Sequence, residues 1–475
     1  MKTHLAVWAL VGMVALPGAA RADDWPQFRG PNGAAISGEK NLPTSWATDK
    51  NVAWKVQVPG YGWSSPIVWG DKVFVTTAVS DKQKKPSGGM GGPGDFGGPG
   101  GRGGFGRERK PPDEVYKWEV YCLHAADGKV IWKQTAAEHK PANPIHSSNT
   151  YATETPVTDG ERVYAYFGMT GVFCFDLAGN LLWKKEDLGA YKMMFGHGTG
   201  ASPAFDGERL FIQCDNEEKS YLLALDKKTG KELWKVNRPE RTGWSSPLVW
   251  KNKVRTEVVC LGSPRVRSYD PVTGKQFWDL SGMSGQAQAS LVADEERLYV
   301  GTGGGPGGFG GGRPGGGGRP GGGRGFGSGR PLFAVKAGAS GDISLKDGAT
   351  ANEGIAWYQP QAGPAMASPL LYEGYLYVLD QRGSLLSCYD AQTGKQVYKE
   401  RLSGARGFTS SPWAYEGKVF CLADDGKTFV VKAGPEFKLL GKNALDGMCW
   451  SSPAVAGGAL FLRTVDALYC IKDRQ

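Results

Sequence analysis

The sequence predicts an all-β fold: one eight-bladed β-propeller of four-stranded blades, its last blade closed by a strand from the N-terminus. Three observations predict it. A Ser/Thr-Pro pair followed by a β-rich run recurs, as in "SSPIVWGDKVFV" at Ser64, "ASPAFDGERLFI" at Ala201 and "SSPWAYEGKVFCL" at Ser410, and there are eight copies, one with leucine in place of proline. The steps from Pro156 to Pro203 to Pro247 are 47 and 44 residues, and those from Pro369 to Pro412 to Pro453 are 43 and 41. A period of about 40–50 residues with short strands is propeller spacing. No helical periodicity competes with it.

Each unit parses into four strands. The first follows the proline, and two-residue turns at Gly70-Asp71, Asp206-Gly207 and Glu373-Gly374 lead to the second. The third ends in a D-x-x-T-G turn, and the fourth ends near an aromatic: Trp132, Trp183, Trp234, Trp278, Trp357 or Tyr398. In "LLALDKKTGKELW", residues 222–234, Gly230 supplies the positive φ and Asp226 bonds back into the turn. The eighth unit stops after "ALYCIKD" without a fourth strand, whereas "NVAWKV" at 51–56 resembles "KELWKV" at 231–236 yet precedes the first unit. A strand from 51–56 in the last blade closes the ring and removes an exposed edge.

Residues 1–22 read as a secretory signal peptide, with an apolar run and an Ala20-Arg21-Ala22 cleavage signal, and 23–50 as an N-terminal extension before the propeller at 51–475. The apolar run is shorter than the about 20 residues that span a bilayer, and no cysteine offers a lipid anchor. The expectation is an exported, periplasmic protein with no membrane span. Formal charge is +9, and the excess belongs to two glycine-rich loops, 80–112 and 302–330. The first carries seven basic and three acidic residues, the second four basic and none acidic. A G-x-G-x-x-G at 303–308 lacks a strand-to-helix context, so no nucleotide site is expected, nor nucleic acid as a partner. The loops read as solvated linkers or as basic arms that touch anionic polymer.

The eight cysteines include neither CxxC nor an adjacent pair. Aligned third strands put Cys122, Cys174, Ala224, Ser268, Ala334, Cys388, Val430 and Cys470 at one repeat position, which asks for a small buried side chain. Equivalent positions in neighbouring blades are about 10 Å apart, beyond the roughly 7 Å that a disulfide spans. These cysteines are expected to be structural and reduced.

Two residues before the prolines, Glu154 is the one charge in a ring of small residues. A buried carboxylate is costly unless it is paired or bound to a cation. Glu154 is therefore either a functional acid or the partner of a neighbouring blade's hydroxyl or amide. Trp63, Trp244 and Trp450 stand one residue earlier, and the same mouth should receive Tyr61, His197, Gln286, Arg406 and Phe408. Aromatics with Arg and His around a concavity suit a ligand or peptide patch, and they equally suit packing between blades. His124, at a turn-aspartate position, reads as a turn residue.

The turns Asp226–Trp234, Asp270–Trp278 and Asp390–Tyr398 resemble the pyrroloquinoline-quinone-type propeller repeat, shared by quinone-dependent alcohol dehydrogenases and by non-enzymatic BamB-like propellers. "DDWPQFRGPNG" at 23–33, "LPTSW" at 42–46 and "NVAWK" look like the start of exported PQQ-binding-like propellers. The enzymes of the family imply pyrroloquinoline quinone, calcium, a vicinal cysteine pair and a catalytic carboxylate. No vicinal pair is present, and Glu154 is the only candidate acid. The resemblance to the non-enzymatic branch implies a monomeric scaffold, without cofactor or metal, that presents one face to a protein or anionic envelope polymer. The alternative is a PQQ- and calcium-dependent dehydrogenase with an atypical site.

Overall fold

The D-x-x-T-G turn folds because its aspartate side chain replaces missing backbone partners. Asp226 Oδ1 accepts from the Thr229 backbone N–H (2.8 Å) and the Thr229 hydroxyl (2.7 Å). The Thr229 hydroxyl, ahead of other contacts, holds the Asp226 carboxyl below its ordinary pKa. Gly230 takes φ 67°, and a Cβ there would come within 2.4 Å of the Trp183 ring of the preceding blade. The glycine thus serves both the turn and the close approach of a neighbour.

That approach is a latch between blades. The fourth-strand tryptophan of one blade lies on the turn of the next and donates its indole N–H to a turn carbonyl. Trp54 donates to Ala125, Trp132 to Leu177, Trp183 to Lys227, Trp234 to Pro271 and Trp357 to Ala391, at 2.8–3.1 Å. The repeated tryptophan and the repeated turn are two halves of one contact.

The computed structural model describes residues 24–87, 109–283, 285–303, 329–381 and 383–473. The expected signal peptide, and most of both glycine-rich loops, lie outside them. Eight antiparallel sheets form the ring. Blade 1 comprises Ile67–Trp69, Lys72–Val79, Tyr116–His124 and Val130–His139, and blade 8 comprises Ala454–Ala456, Ala459–Arg463, Leu468–Ile471 and, as expected, Val52–Val56. Trp54 pairs with Cys470 in that closing strand. The turns at Gly70-Asp71 and Glu373-Gly374 are as expected. In blade 3, however, Asp206 pairs with Arg209, whose N–H it accepts, so the turn shifts by one residue to Gly207-Glu208.

Across four of the sheets runs a row of an aromatic, a small residue and a tryptophan: Phe74–Cys122–Trp132, Tyr164–Cys174–Trp183, Phe211–Ala224–Trp234, Tyr299–Ala334–Trp357. The small residue leaves room for its two large neighbours, whose rings sit 5.9–6.0 Å apart. This explains the aligned cysteines; all eight in the chain are buried free thiols, and burial pushes that of Cys122 up to about 12.

Blade 4 departs from the four-stranded expectation. Blade 5 has a long insertion in place of the D-x-x-T-G turn, and its Gly341–Asp342 adds a fifth, parallel strand beside Trp278. With no turn to dock on, Trp278 donates instead to the buried carboxylate of Glu257 (2.7 Å). Ser268, at the small-residue position of this blade, also donates to Glu257. In blade 7 the fourth strand offers Gly441 rather than an aromatic, and Trp46 of the N-terminal extension stacks on Phe420 (6.3 Å).

Candidate functional site

The residue immediately before each first strand's proline, or its leucine in blade 5, is always Ser or Thr: Ser65, Thr155, Ser202, Ser246, Ser290, Ser368, Ser411 and Ser452. Because eight equivalent strands converge on one axis, these residues form a ring. Each of the first seven donates its backbone N–H to the hydroxyl oxygen of the next blade's residue, at 2.9–3.1 Å. At the seam between blades 8 and 1, Ser451 Oγ donates to Trp63 O (2.9 Å). There the buried Arg463 guanidinium donates to Ser64 Oγ (2.6 Å), Ser64 O (3.2 Å) and Thr76 O (2.8 Å).

The ring lines a cavity with about 990 Å³ of unfilled space, its open mouth included. The walls come from the connections between the fourth strand of one blade and the first of the next. Trp63 stacks on Trp450 with ring centroids 5.5 Å apart. Trp63 and Trp244 are held by indole N–H bonds to Ser148 O (2.8 Å) and Gly198 O (2.7 Å). The Trp450 indole nitrogen is buried without a partner among the described residues. His146 meets His197 edge to face at 4.8 Å, and His197 lies 6.0 Å from Trp244. The Ser148 N–H donates to His146 Nδ1 (3.2 Å), which fixes that nitrogen as an acceptor. Asn149, Gln288 and Met366 add polar and soft groups to the lining, which contains no Asp or Glu among the described residues.

The floor is the N-terminal extension. Trp25 pairs with Val68 of blade 1, Thr158 of blade 2 donates to Pro26 O, and Ser37 and Ala35 bond Ala414 of blade 7. Between these points Phe28 lines the cavity, and Arg29, 1% exposed, donates to Leu291 O (3.0 Å) and to Pro369 O. The segment therefore crosses the axis and closes the channel into a well.

Of the residues singled out from the sequence, Trp63, His197, Trp244 and Trp450 line the well. The others do not. Tyr61 pairs with Ala78 in blade 1. Gln286 accepts from Gln288, one layer behind the wall (2.9 Å). Arg406 is exposed, and Phe408 is in the core against Phe429 (6.3 Å). Glu154 lies between Thr153 and Thr155, which do line the well, but is itself 1% exposed. Its Oε1 has no partner among the described residues. Burial pushes its carboxyl up to about 7, against an opposing hydrogen bond from Thr199. Sequence reasoning missed the hydroxyl ring, His146 and the floor. The signal for the ring was the invariant Ser/Thr before each proline, which reads at first as punctuation. Phe195, 59% exposed and 5.7 Å from His197, adds an aromatic to the rim.

Both glycine-rich loops join the second and third strands of their blades, 1 and 5. The stems of the first end beside the well: Ser87 N–H donates to Ser147 O (3.0 Å) and Arg109 to Ile145 O (3.4 Å). Among the described residues no three His, Cys, Asp or Glu side chains cluster closely enough to hold a metal ion, and no helix is long and apolar enough to cross a membrane.

Solved structures with this architecture include BamB from Moraxella catarrhalis, at 11% identity over 75% of this chain and 89% of that one, with a TM-score of 0.50. A europium-containing methanol dehydrogenase is similar at 10% identity over 94% and 91% of the two chains (TM-score 0.56). The quinohemoprotein alcohol dehydrogenase from Comamonas testosteroni is similar at 12% over 96% and 82% (TM-score 0.58). Such identities carry the fold alone. No curated protein sequence matches the chain. A family model described as outer membrane protein assembly factor BamB matches residues 117–236, 172–308 and 340–434, more than half of the chain. With eight blades, the tryptophan-on-turn latch and that match together, the chain belongs to the BamB-like family of PQQ-repeat β-propellers.

Proposed function

We propose that this chain is a non-catalytic, exported propeller scaffold whose well-bearing face engages a protein or an anionic envelope polymer. The observation that carries the reading is the chemistry of the well: tryptophan faces, histidines, hydroxyls and amides, with no carboxylate on the lining among the described residues. Aromatic anchors in a concavity with a few convergent polar groups make a binding surface. The basic loops, of which the first has stems that end beside this mouth, add salt-sensitive attraction to polyanions. Membership of a family described by an outer-membrane assembly factor supports a place in the envelope.

The quinoprotein neighbours raise the alternative of a quinone and calcium enzyme. Calcium takes about six to eight oxygen ligands, carboxylates among them. Among the described residues the lining supplies neutral oxygens only, and the two acids next to it lie behind it: Glu154 is buried, and Asp424 accepts from the backbone N–H and hydroxyl of Thr409 (2.8 and 3.2 Å). That donor set does not suit the pair, so no catalytic step is derived from it.

Two measurements test the reading. Titration with a polyanion such as polygalacturonate should quench tryptophan fluorescence, weaken with salt, and fail in a Trp63→Ala, Trp450→Ala variant. In parallel, reconstitution with quinone and calcium should give no dye reduction with a panel of alcohols. Turnover that disappears in Glu154→Gln would overturn the scaffold reading in favour of the enzyme.

A further inference from the structure

Among the described residues three arginines are deeply buried, and they differ in what surrounds them. Arg238 pairs with Asp215, with Nε–Oδ1 at 2.7 Å and Nη2–Oδ2 at 3.0 Å. Arg463 spreads its bonds over three oxygens at the seam. Arg29 meets only two backbone carbonyls, and its Nε has no partner among the described residues. Burial lowers its pKa to about 9, with no carboxylate to oppose the shift. A guanidinium out of water with neutral acceptors alone keeps an uncompensated charge, a costly arrangement unless an anion joins it.

The surroundings are arranged to receive one. The carbonyls that hold Arg29 belong to Leu291 and Pro369, the residues that directly follow Ser290 and Ser368 of the hydroxyl ring. The guanidinium therefore sits against the ring. Ser246 and Ser290 line both the well and a second cavity of about 590 Å³ beneath it, which Arg29, Asn32 and Lys251 also line. Each of these two hydroxyl oxygens accepts a backbone N–H. Neither donates its hydrogen to another atom of the described residues, so each O–H remains a donor. Among the described residues no Asp or Glu lines either cavity.

We propose that the junction of the two cavities is an oxyanion site. A carboxylate, sulfate or phosphate group is held there by the Arg29 guanidinium and the hydroxyls of Ser246 and Ser290, with Lys251 adding charge at the outer end. Charge-assisted bonds from a guanidinium and two hydroxyls are what an oxyanion accepts, and the bound charge neutralises Arg29. The site stands independently of the partner at the rim: it concerns a small anion at the floor, and its readout does not involve a polymer.

Thermal unfolding of the purified protein tests it, with sodium sulfate, phosphate or acetate each compared against sodium chloride at equal ionic strength. The site predicts a saturable rise in Tm of about 2 °C or more with at least one oxyanion, and the three salts separate the chemical sources. In Arg29→Met, which keeps side-chain length and removes the charge, the rise should vanish. Sulfate and phosphate also stabilise proteins by exclusion from their surface, an effect that does not saturate and acts on both proteins. An equal rise in wild type and variant, or no oxyanion exceeding chloride, refutes the site. Should Arg29→Met fail to fold, Ser246→Ala with Ser290→Ala replaces it. Equilibrium dialysis of labelled sulfate should then show affinity falling about a hundredfold or more, the loss expected for two hydrogen bonds to a charged group. Unchanged affinity overturns the proposal.

Discussion

At the perimeter, a tryptophan of one blade docks on the turn of the next at five of the eight seams. At the axis, the hydroxyl of the next blade accepts a backbone N–H at seven. Both joints use one residue per blade, yet the outer one is exchanged for other devices at three seams and the inner one only at the seam between blades 8 and 1, where Ser451 and Arg463 take over. Where the outer latch is missing, Glu257 takes the Trp278 indole, Phe437 packs on Tyr398 at 5.6 Å, and Trp46 stacks on Phe420. The difference lies in solvation. The outer rings sit near water, and several side chains can cover them. An inner N–H without its hydroxyl is a buried orphan donor, which costs about 1–3 kcal/mol. The axis therefore tolerates fewer substitutes than the perimeter.

The strongest way to break the comparison is at the closing seam, where one residue serves both the last blade and the latch. Trp54→Ala removes the indole bond to Ala125 and the packing on Phe461 (5.9 Å). A tryptophan truncation of this kind costs about 3–5 kcal/mol. Calorimetry should show a single transition at lower Tm, because opening one seam opens the ring; an unchanged Tm would mean that closure does not depend on this latch.

The next effect tests the charge beside the axis. Burial raises the Glu154 carboxyl from 4.5 to about 7, so between those pH values the folded chain retains a proton that the unfolded chain has released. Stability then falls as pH rises through this window and levels off above it, by roughly 3 kcal/mol in all. Urea unfolding on both sides of the window should show this slope in the wild type and a shallower one in Glu154→Gln. Asp424, which burial raises to about 6, contributes to both proteins alike. Equal slopes in the two proteins would contradict the assignment.

A single inner link gives a smaller loss. Ser202→Ala leaves the Thr155 N–H without its acceptor at 2.9 Å and should cost about 1–3 kcal/mol, with Ser202→Thr restoring most of it. The smallest effect belongs to the exposed outer turn. Asp226→Ala removes bonds that water can replace and should cost about 1 kcal/mol or less. If denaturant midpoints showed Asp226→Ala to be the worse of these two, the contrast between perimeter and axis would be reversed.

The legibility of the molecule follows the same division. The blades, their order and the closing strand at 51–56 were readable because each depends on local spacing and on a missing partner at each end of the chain. The small-residue row was readable too, since eight copies can be aligned against one another. Trp63, Trp244, Trp450 and His197 were placed at the mouth because they flank repeat positions. Phe408 shows where that reasoning stops. It precedes the repeat in sequence as a mouth residue would, yet it turns into the core against Phe429, because side-chain direction in an irregular connection follows from its packing partners. Blade 5 shows the same limit, since nothing local says that its insertion will pair with the edge of blade 4.

Repetition in the sequence determined the ring itself, because strand, turn and latch are made by residues within about one repeat of each other everywhere but at the closing seam, where Trp54 pairs with Cys470. Only the tertiary structure decided what occupies the axis. Arg29 bonds residues 262 and 340 positions away, and the floor of the well is a segment that belongs to no repeat. The ring of hydroxyls becomes a lining, and Arg29 an unpaired charge beneath it, only when eight inner strands converge. Convergence sets which donors face one another, and no single stretch of chain encodes it.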